Sequence, residues 1–167
     1  MTTQPVRRVL CPGSFDPITL GHVDIIGRAQ RMFGEVIVGV GLNNQKTYLF
    51  SLDQRVELVR ASVEHLDGVQ VAPMTGLLVD FAASHGITTV VKGLRFGADF
   101  DFELQMAHMN MSLTGLETVL LPASAKHVTL SSTILREVAK YGGDVSSYVT
   151  PPVQRAVDEW LAAHPRD

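Results

Sequence analysis

Short runs of β-branched apolar residues alternate along this chain with stretches in which apolar positions recur every three or four residues. The first kind lies near Val6 to Cys11, Glu35 to Gly41, Val69 to Ala72, Thr88 to Lys92 and Thr118 to Leu121, and reads as strands. Helices fill the gaps. Val23, Ile26, Ala29 and Phe33 share one helical face, as do Val56, Val59, Val63 and Leu66, so each helix has one side for a sheet. Ser51 with Gln54 is a capping box before the second helix, and Tyr141-Gly142-Gly143 stops another that starts near Ser131. Pro151-Pro152 opens a last helix, about 151–163, with Val153, Val157 and Trp160 inward. This alternation predicts one α/β domain over 1–167, a Rossmann-like, doubly wound parallel five-stranded sheet with flanking helices. Such sheets bind ligands beyond the carboxyl ends of their strands, so functional residues are expected there.

Composition narrows the partner. The 167 residues, 46% hydrophobic and 19% charged, suffice for one core and leave no room for a second domain. A net charge of −3 and a pI near 6.0 argue against an extended nucleic-acid or membrane surface. The expected ligand is therefore a small anion held by a few gathered cations. Met1 to Pro5 lacks the basic start of a signal peptide and no apolar run reaches transmembrane length, which predicts a cytoplasmic protein. The single cysteine, Cys11, ends an apolar strand and is read as a packing residue.

The chemistry begins where the first strand ends. Pro12-Gly13 is expected to force a sharp exit, followed by Ser14-Phe15-Asp16-Pro17-Ile18-Thr19-Leu20-Gly21-His22 and a helix whose first N–H groups attract anions. His22 sits at that helix start, either as a helix-start hydrogen-bonder or as a donor to a reacting phosphate. Ser14 has a hydroxyl and an N–H suited to phosphate oxygens. Asp16 would repel phosphates unless a metal intervened, and a structural role capping the loop is favoured over magnesium binding. No Gly-x-x-x-x-Gly-Lys-Ser/Thr occurs, and Gly39-Val40-Gly41 lacks the third glycine of a dinucleotide fingerprint.

Other predicted loops on the same sheet edge add polyphosphate chemistry. Lys46 follows the polar run Asn43-Asn44-Gln45, and Lys92-Gly93-Leu94-Arg95 flanks a close-approach glycine with two cations. Ser131-Ser132-Thr133 puts three hydroxyls at another helix start, where a cap needs only one. Glu103 is either an exposed helix carboxylate or an acceptor for a ribose or adenine. Between Phe100 and Leu113 two apolar stripes run along one helix, Phe100/Leu104/Ala107/Met111 and Phe102/Met106/Met109/Leu113. One of them is expected to meet another subunit.

Taken together, Gly-Ser-Phe-Asp-Pro-Ile-Thr-Leu-Gly-His, Lys46, Lys-Gly-Leu-Arg, Asp-Phe-Asp-Phe-Glu-Leu-Gln-Met-Ala-His-Met-Asn and Ser-Ser-Thr resemble the bacterial phosphopantetheine adenylyltransferases of the nucleotidylyltransferase superfamily. The resemblance implies transfer of AMP from ATP to 4′-phosphopantetheine, giving dephospho-coenzyme A and pyrophosphate, with magnesium as cofactor and a homohexameric assembly. It implies acceptor contacts from Ser14, Lys46, Leu78, Lys92 and Asn110. ATP contacts are implied for Ser14, Phe15, His22, Gly93, Leu94, Arg95, Glu103 and the segment His127, Val128, Thr129, Leu130, Ser131, Ser132, Thr133. Catalysis is assigned to His22 as transition-state stabiliser, with Lys46 orienting the attacking phosphate and Arg95 the leaving pyrophosphate. The chain departs from the family pattern at Phe102, where tyrosine is common, and at His127-Val128-Thr129, where an aromatic residue is usual. Thr19 replaces the first histidine of the His-x-Gly-His found in related cytidylyltransferases, which favours the pantetheine branch. The alternatives are a related transferase with another acceptor and a catalytically silent nucleotide-binding module.

Overall fold

The computed structural model describes residues 7–42 and 47–165. Among the described residues five strands alternate with six helices: β1 (Arg7–Gly13), α1 (Leu20–Phe33), β2 (Gly34–Gly41), α2 (Leu52–Val63), β3 (Val69–Met74), α3 (Leu78–Ser84), β4 (Thr89–Leu94), α4 (Gly97–Thr114), β5 (Glu117–Pro122), α5 (Ser132–Lys140) and α6 (Pro151–Ala163). All pairings are parallel and the sheet order is β3-β2-β1-β4-β5. The order reverses between β1 and β4, as a doubly wound sheet requires.

The period of two along the central strands divides the core between the sheet faces. Val9 and Cys11 of β1 and Val36, Val38 and Val40 of β2 join the cluster under α1, α2, α5 and α6. Leu10 and Ile37 belong to a smaller cluster with Val79, Ala82, Ile87, Val90 and Leu116. Ile26, Ala29, Val56, Val59, Val63, Val153 and Val157 are all buried, as their spacing predicts. Leu66 packs on the larger cluster from beyond the end of α2 rather than from within it.

The helix ends follow local chemistry. Ser51 and Gln54 exchange capping bonds at α2, and Gly34, at φ 94°, closes α1 in a conformation that a side chain rarely adopts. Gly142 and Gly143 return their N–H groups to Ala139 and Val138, ending α5. Among the described residues, no helix is long and apolar enough to cross a membrane.

One expectation about β1 is corrected. The strand does not leave the sheet at Pro12-Gly13; both residues remain paired with Gly39 and Val40 of β2. The turn falls at Ser14 to Pro17 because Phe15, not glycine, takes the left-handed conformation at φ 48°. Its ring is buried and folds back over Gly13, where an added Cβ would lie 2.9 Å from it. Gly13 is thus needed for ring clearance, and the strain at Phe15 is met by burial of an aromatic side chain.

Candidate active site

β1 stays paired with β2 along its whole length but is paired with β4 only at Leu10↔Val90. The carboxyl ends of β1 and β4 therefore diverge, and a cleft of about 480 Å³ opens at the reversal of strand order. Ser14, Phe15, His22, Lys92, Gly93, Arg95, Glu103, His127, Leu130, Ser131, Ser132 and Thr133 all line it. Leu94, Val128 and Thr129 adjoin these residues in sequence without lining the cleft. Leu78 packs against the smaller core cluster at the start of α3, and Asn110 is buried on α4, where its carbonyl accepts from Thr114 at 3.4 Å. Lys46 lies outside the described residues.

The floor of the cleft is an anchored turn. Asp16 is 1% exposed, and its carboxylate accepts from the backbone N–H groups of Leu49 and Phe50 at 2.8 and 3.0 Å. Arg136 stands 3.6 Å from the same carboxylate and donates to the Asp16 carbonyl at 2.7 Å. Asp16 is therefore a structural cap, as its charge predicts, and both its oxygens are occupied. Arg55 of α2 is fully buried and donates to the carbonyls of Ser14 at 2.6 Å and Gly41 at 2.8 Å, with its guanidinium over the Tyr48 ring at 4.0 Å. One buried cation thus ties the turn after β1 to the end of β2.

Thr19 caps α1 and sets His22. The Thr19 hydroxyl accepts from the His22 N–H at 3.3 Å, and the Thr19 N–H donates to His22 Nδ1 at 3.0 Å. A backbone N–H only donates, so Nδ1 is the acceptor and the ring proton of the neutral imidazole sits on Nε2. Desolvation in the cleft lowers the His22 pKa to about 4, helped by the charges of Arg95 and Lys92. The imidazole is consequently neutral near pH 7, with an N–H free to donate. Phe15 packs against it edge to face, the ring centroids 5.2 Å apart. His22 is at once the helix-start hydrogen-bonder and a cleft donor, one role for each nitrogen.

The cations on the opposite wall are paired with α4. Lys92 Nζ lies 3.1 Å from Glu103 Oε1. Arg95 meets Asp99 with Nε to Oδ2 at 2.9 Å and Nη2 to Oδ1 at 3.1 Å, while Nη1 donates to the Leu130 carbonyl at 2.9 Å. The Arg95 hydrogen bonds hold the Asp99 carboxyl below the usual carboxylate range. At the start of α5, Ser132 donates to the Pro17 carbonyl at 2.8 Å, Thr133 accepts from Arg136 at 3.4 Å, and Ser131 makes no capping bond. The first N–H groups of that helix have no partner within it, which suits an anion.

Asp99, Arg136, Tyr48 and Arg55 were not singled out from sequence. Asp99 follows Arg95 at the four-residue helical spacing, and Arg55 stands on the buried face shared by Val59 and Ser62, so both carried a readable signal. Tyr48 carried none. Cys11 also borders the cleft, but its thiol is 4% exposed and burial pushes its pKa up to about 12, so it remains protonated. No cluster of three or more His, Cys, Asp or Glu able to hold a metal occurs among the described residues.

A family model described as "Cytidylyltransferase-like" matches residues 10–138, which span both halves of the cleft. The chain is 51% identical over 147 residues to a protein from Cutibacterium acnes, covering 88% of this chain and 94% of that one. It is 50% identical over 161 residues to one from Frankia casuarinae, covering 94% and 99% respectively. Both relatives are named phosphopantetheine adenylyltransferase. The fold resembles that of a bifunctional NMN adenylyltransferase/ADP ribose pyrophosphatase from Francisella tularensis, with a TM-score of 0.74 at 14% identity. That likeness covers 96% of this chain and 51% of the other, so this chain spans about half of that structure. With the family model across most of its length and half its residues shared with these relatives, the chain belongs to the cytidylyltransferase-like family and, within it, to the phosphopantetheine adenylyltransferases.

Proposed function

We infer that this protein transfers AMP from ATP to 4′-phosphopantetheine, giving dephospho-coenzyme A and pyrophosphate, and that it works by direct in-line displacement. The observation that carries the mechanism is the neutral His22, whose Nδ1 is held by Thr19 and whose other nitrogen is left to donate in the cleft. An oxygen of the acceptor phosphate attacks the α-phosphorus, and the bond from that phosphorus to the oxygen bridging to the β-phosphate breaks. Both electrons of the broken bond leave with pyrophosphate. A phosphomonoester is already largely dianionic near pH 7, with a second pKa of about 6, so a general base has little to remove. No enzyme nucleophile is required, consistent with the buried, protonated Cys11.

The task left to the protein is to gather two polyanions and stabilise the charge that spreads over the transferring group. His22 donates to the α-phosphate as that charge develops. Lys46 and Lys92 orient the attacking phosphate, with Ser14, Leu78 and Asn110 as the remaining acceptor contacts. Arg95 and the start of α5 receive the leaving pyrophosphate, and Glu103 with the segment from His127 to Thr133 holds the nucleotide. Magnesium bound with the ATP substrate would need no cage of protein carboxylates and would supply neutralisation of charge on the leaving group.

The working unit is proposed to be a closed homohexamer in the cytoplasm, acting without nucleic-acid or membrane partners. In one protomer Phe100, Leu104 and Met111 of one α4 stripe and Phe102, Met106, Met109 and Leu113 of the other are all exposed. That is more apolar surface than one helix leaves open unless a second subunit covers it. The reaction is tested by release of pyrophosphate from ATP by the purified protein, with 4′-phosphopantetheine and nicotinamide mononucleotide compared as acceptors and CTP as donor. Turnover only with ATP and 4′-phosphopantetheine is expected; ATP binding without turnover on any acceptor refutes the assignment.

A further inference from the structure

The Arg95–Asp99 pair sits in an unexpected place for a pocket that must receive phosphate. An arginine waiting for a polyanion is met on one full edge by a carboxylate: Nε and Nη2 go to Asp99 at 2.9 and 3.1 Å, and the Arg95 backbone N–H adds a longer contact to Oδ2 at 3.3 Å. The third nitrogen, Nη1, donates to the Leu130 carbonyl at 2.9 Å. A guanidinium has five N–H donors in a rigid fork, and these bonds use one on each nitrogen. What remains is one N–H on each terminal nitrogen, enough for two phosphate oxygens.

Stability does not explain the pair. Its side chains are 36% and 28% exposed, and ion pairs this open contribute little to folding. It does fix direction. Arg95 leaves the end of β4 while Leu130 lies just before α5, so the three bonds span two walls of the cleft. Lys92 is paired with Glu103 one turn further along α4, but an ammonium is a point charge that such a contact does not orient.

Resting on the adenylyl-transfer reading above, we propose that Asp99 is a positioning residue: by occupying the Nε edge of Arg95 it turns the remaining N–H donors toward the pyrophosphate leaving group before ATP arrives. Arg95 then needs no reorientation as charge moves onto that group, and the benefit appears in the rate rather than in ATP affinity. Removing the carboxylate leaves the cation in place but lets its fork rotate. The ground state gains one net positive charge, so binding of a polyanion is not weakened.

The test compares purified full-length wild type with Asp99→Asn and Asp99→Glu. For Asp99→Asn, kcat for pyrophosphate release is expected to fall about tenfold to a hundredfold, the scale of one misplaced catalytic contact. KM for ATP should change less than about threefold and the thermal transition should stay within about 2 °C, since Asp99 contributes a partly exposed pair. Asp99→Glu, which restores the carboxylate, should recover most of kcat. A second readout needs no turnover: in isotope-labelled protein the Arg95 Nε–H resonance, identified by its loss in Arg95→Lys, should shift on adding inorganic pyrophosphate to wild type and be exchange-broadened in Asp99→Asn. A kcat for Asp99→Asn within twofold of wild type overturns the proposal, as does joint loss of kcat and thermal stability without rescue by glutamate. If wild type shows no turnover, the transfer reading fails, and the Nε–H signal alone decides the positioning claim: an unchanged signal in Asp99→Asn overturns it.

Discussion

Replacing His22 with glutamine separates the two jobs that the structure gives this side chain. In the wild type, Nδ1 accepts the Thr19 N–H at 3.0 Å, which is the N3 half of a capping box, and the other ring nitrogen faces the cleft. Glutamine is a usual residue at N3, so His22→Gln turns the helix start into an ordinary Thr-x-x-Gln box. Its carbonyl reaches back to Thr19 and draws the amide away from the cleft. The helix keeps its cap and the reaction loses its donor. Removing one preorganised donor from a developing oxyanion costs about 2.7–4 kcal/mol, a fall in kcat of about 10²–10³. His22→Ala should lose as much activity, and although the Thr19 hydroxyl still accepts from the residue-22 N–H, it should lose the reciprocal half of the capping box, about 1 kcal/mol for the unpaired Thr19 N–H, with about 0.5–1.5 kcal/mol from the edge contact with Phe15. A domain of this size then melts roughly 3–10 °C lower, at about 2–4 °C per kcal/mol. Pyrophosphate release gives kcat, calorimetry gives ATP affinity and thermal melts give stability. The expected result is equal catalytic loss in both variants, ATP affinity within a few-fold of wild type, and a melting temperature lower for alanine than for glutamine, because both lose the Phe15 contact and only alanine loses the acceptor for the Thr19 N–H. If His22→Gln keeps kcat within tenfold, or if ATP affinity falls as far as kcat, His22 does not act on the transition state.

Further consequences follow from the same geometry. Because His22 is held at about 4 in the folded protein against 6.5 when free, the unfolded chain binds more protons between these values. Its contribution is therefore complete above about pH 6.5 and is lost as pH falls toward 4, by at most about 3 kcal/mol. Denaturant titrations of wild type and His22→Gln across that range should show the stability difference moving in favour of glutamine as pH drops; parallel curves would refute the shift. Arg55→Met removes the donor to the Ser14 and Gly41 carbonyls and should destabilise the fold by about 2 kcal/mol, since each unsatisfied carbonyl costs about 1–3 kcal/mol and loss of the unpartnered Nε and Nη2 offsets part of it. An unchanged urea midpoint would show that the tie carries no weight. Met111→Glu places a charge on an exposed α4 stripe and should lower the oligomer mass seen by light scattering, whereas a wild-type protein that is monomeric at micromolar concentration rules out the assembly.

The periodicities that announced the fold are those that local chemistry and burial enforce together. Val9, Val36 and Val91 stand in buried strands, and Ile26, Ala29, Val56 and Val59 form helical faces that pack on them. The misplaced turn at Pro12-Gly13 has a different origin. Proline and glycine report what a backbone does alone, but whether a strand continues depends on the neighbour that pairs with it, and β2 supplies that neighbour through Gly39 and Val40. The left-handed residue is Phe15, which no turn propensity would select; its ring is kept there by burial against Gly13 and His22.

The candidate site shows the same division at the level of charge. Lys92, Arg95 and the start of α5 were legible as candidate anion-binding groups because each is a donor at the end of a strand or the start of a helix that the strand order brings to one edge, although β4 stays paired through Lys92 to Leu94 rather than opening into a loop there. The pattern names no partner for the two cations, and each is paired with a carboxylate of α4. Asp99 was legible by its four-residue spacing from Arg95, whereas Glu103 lies eleven residues beyond Lys92, where nothing local distinguishes a carboxylate turned toward a cation from one turned toward solvent. Arg55 is the sharper case. A cation on the apolar face of α2 looks like an interruption of a core stripe, and only the tertiary arrangement reveals two backbone carbonyls that converge on it. Buried carbonyls at the ends of β1 and β2 require a donor, and a guanidinium reaches both from one nitrogen. The break in the hydrophobic pattern is therefore where the fold attaches the turn that floors the cleft, and the polar residue stands on the core face because the carbonyls it holds converge there.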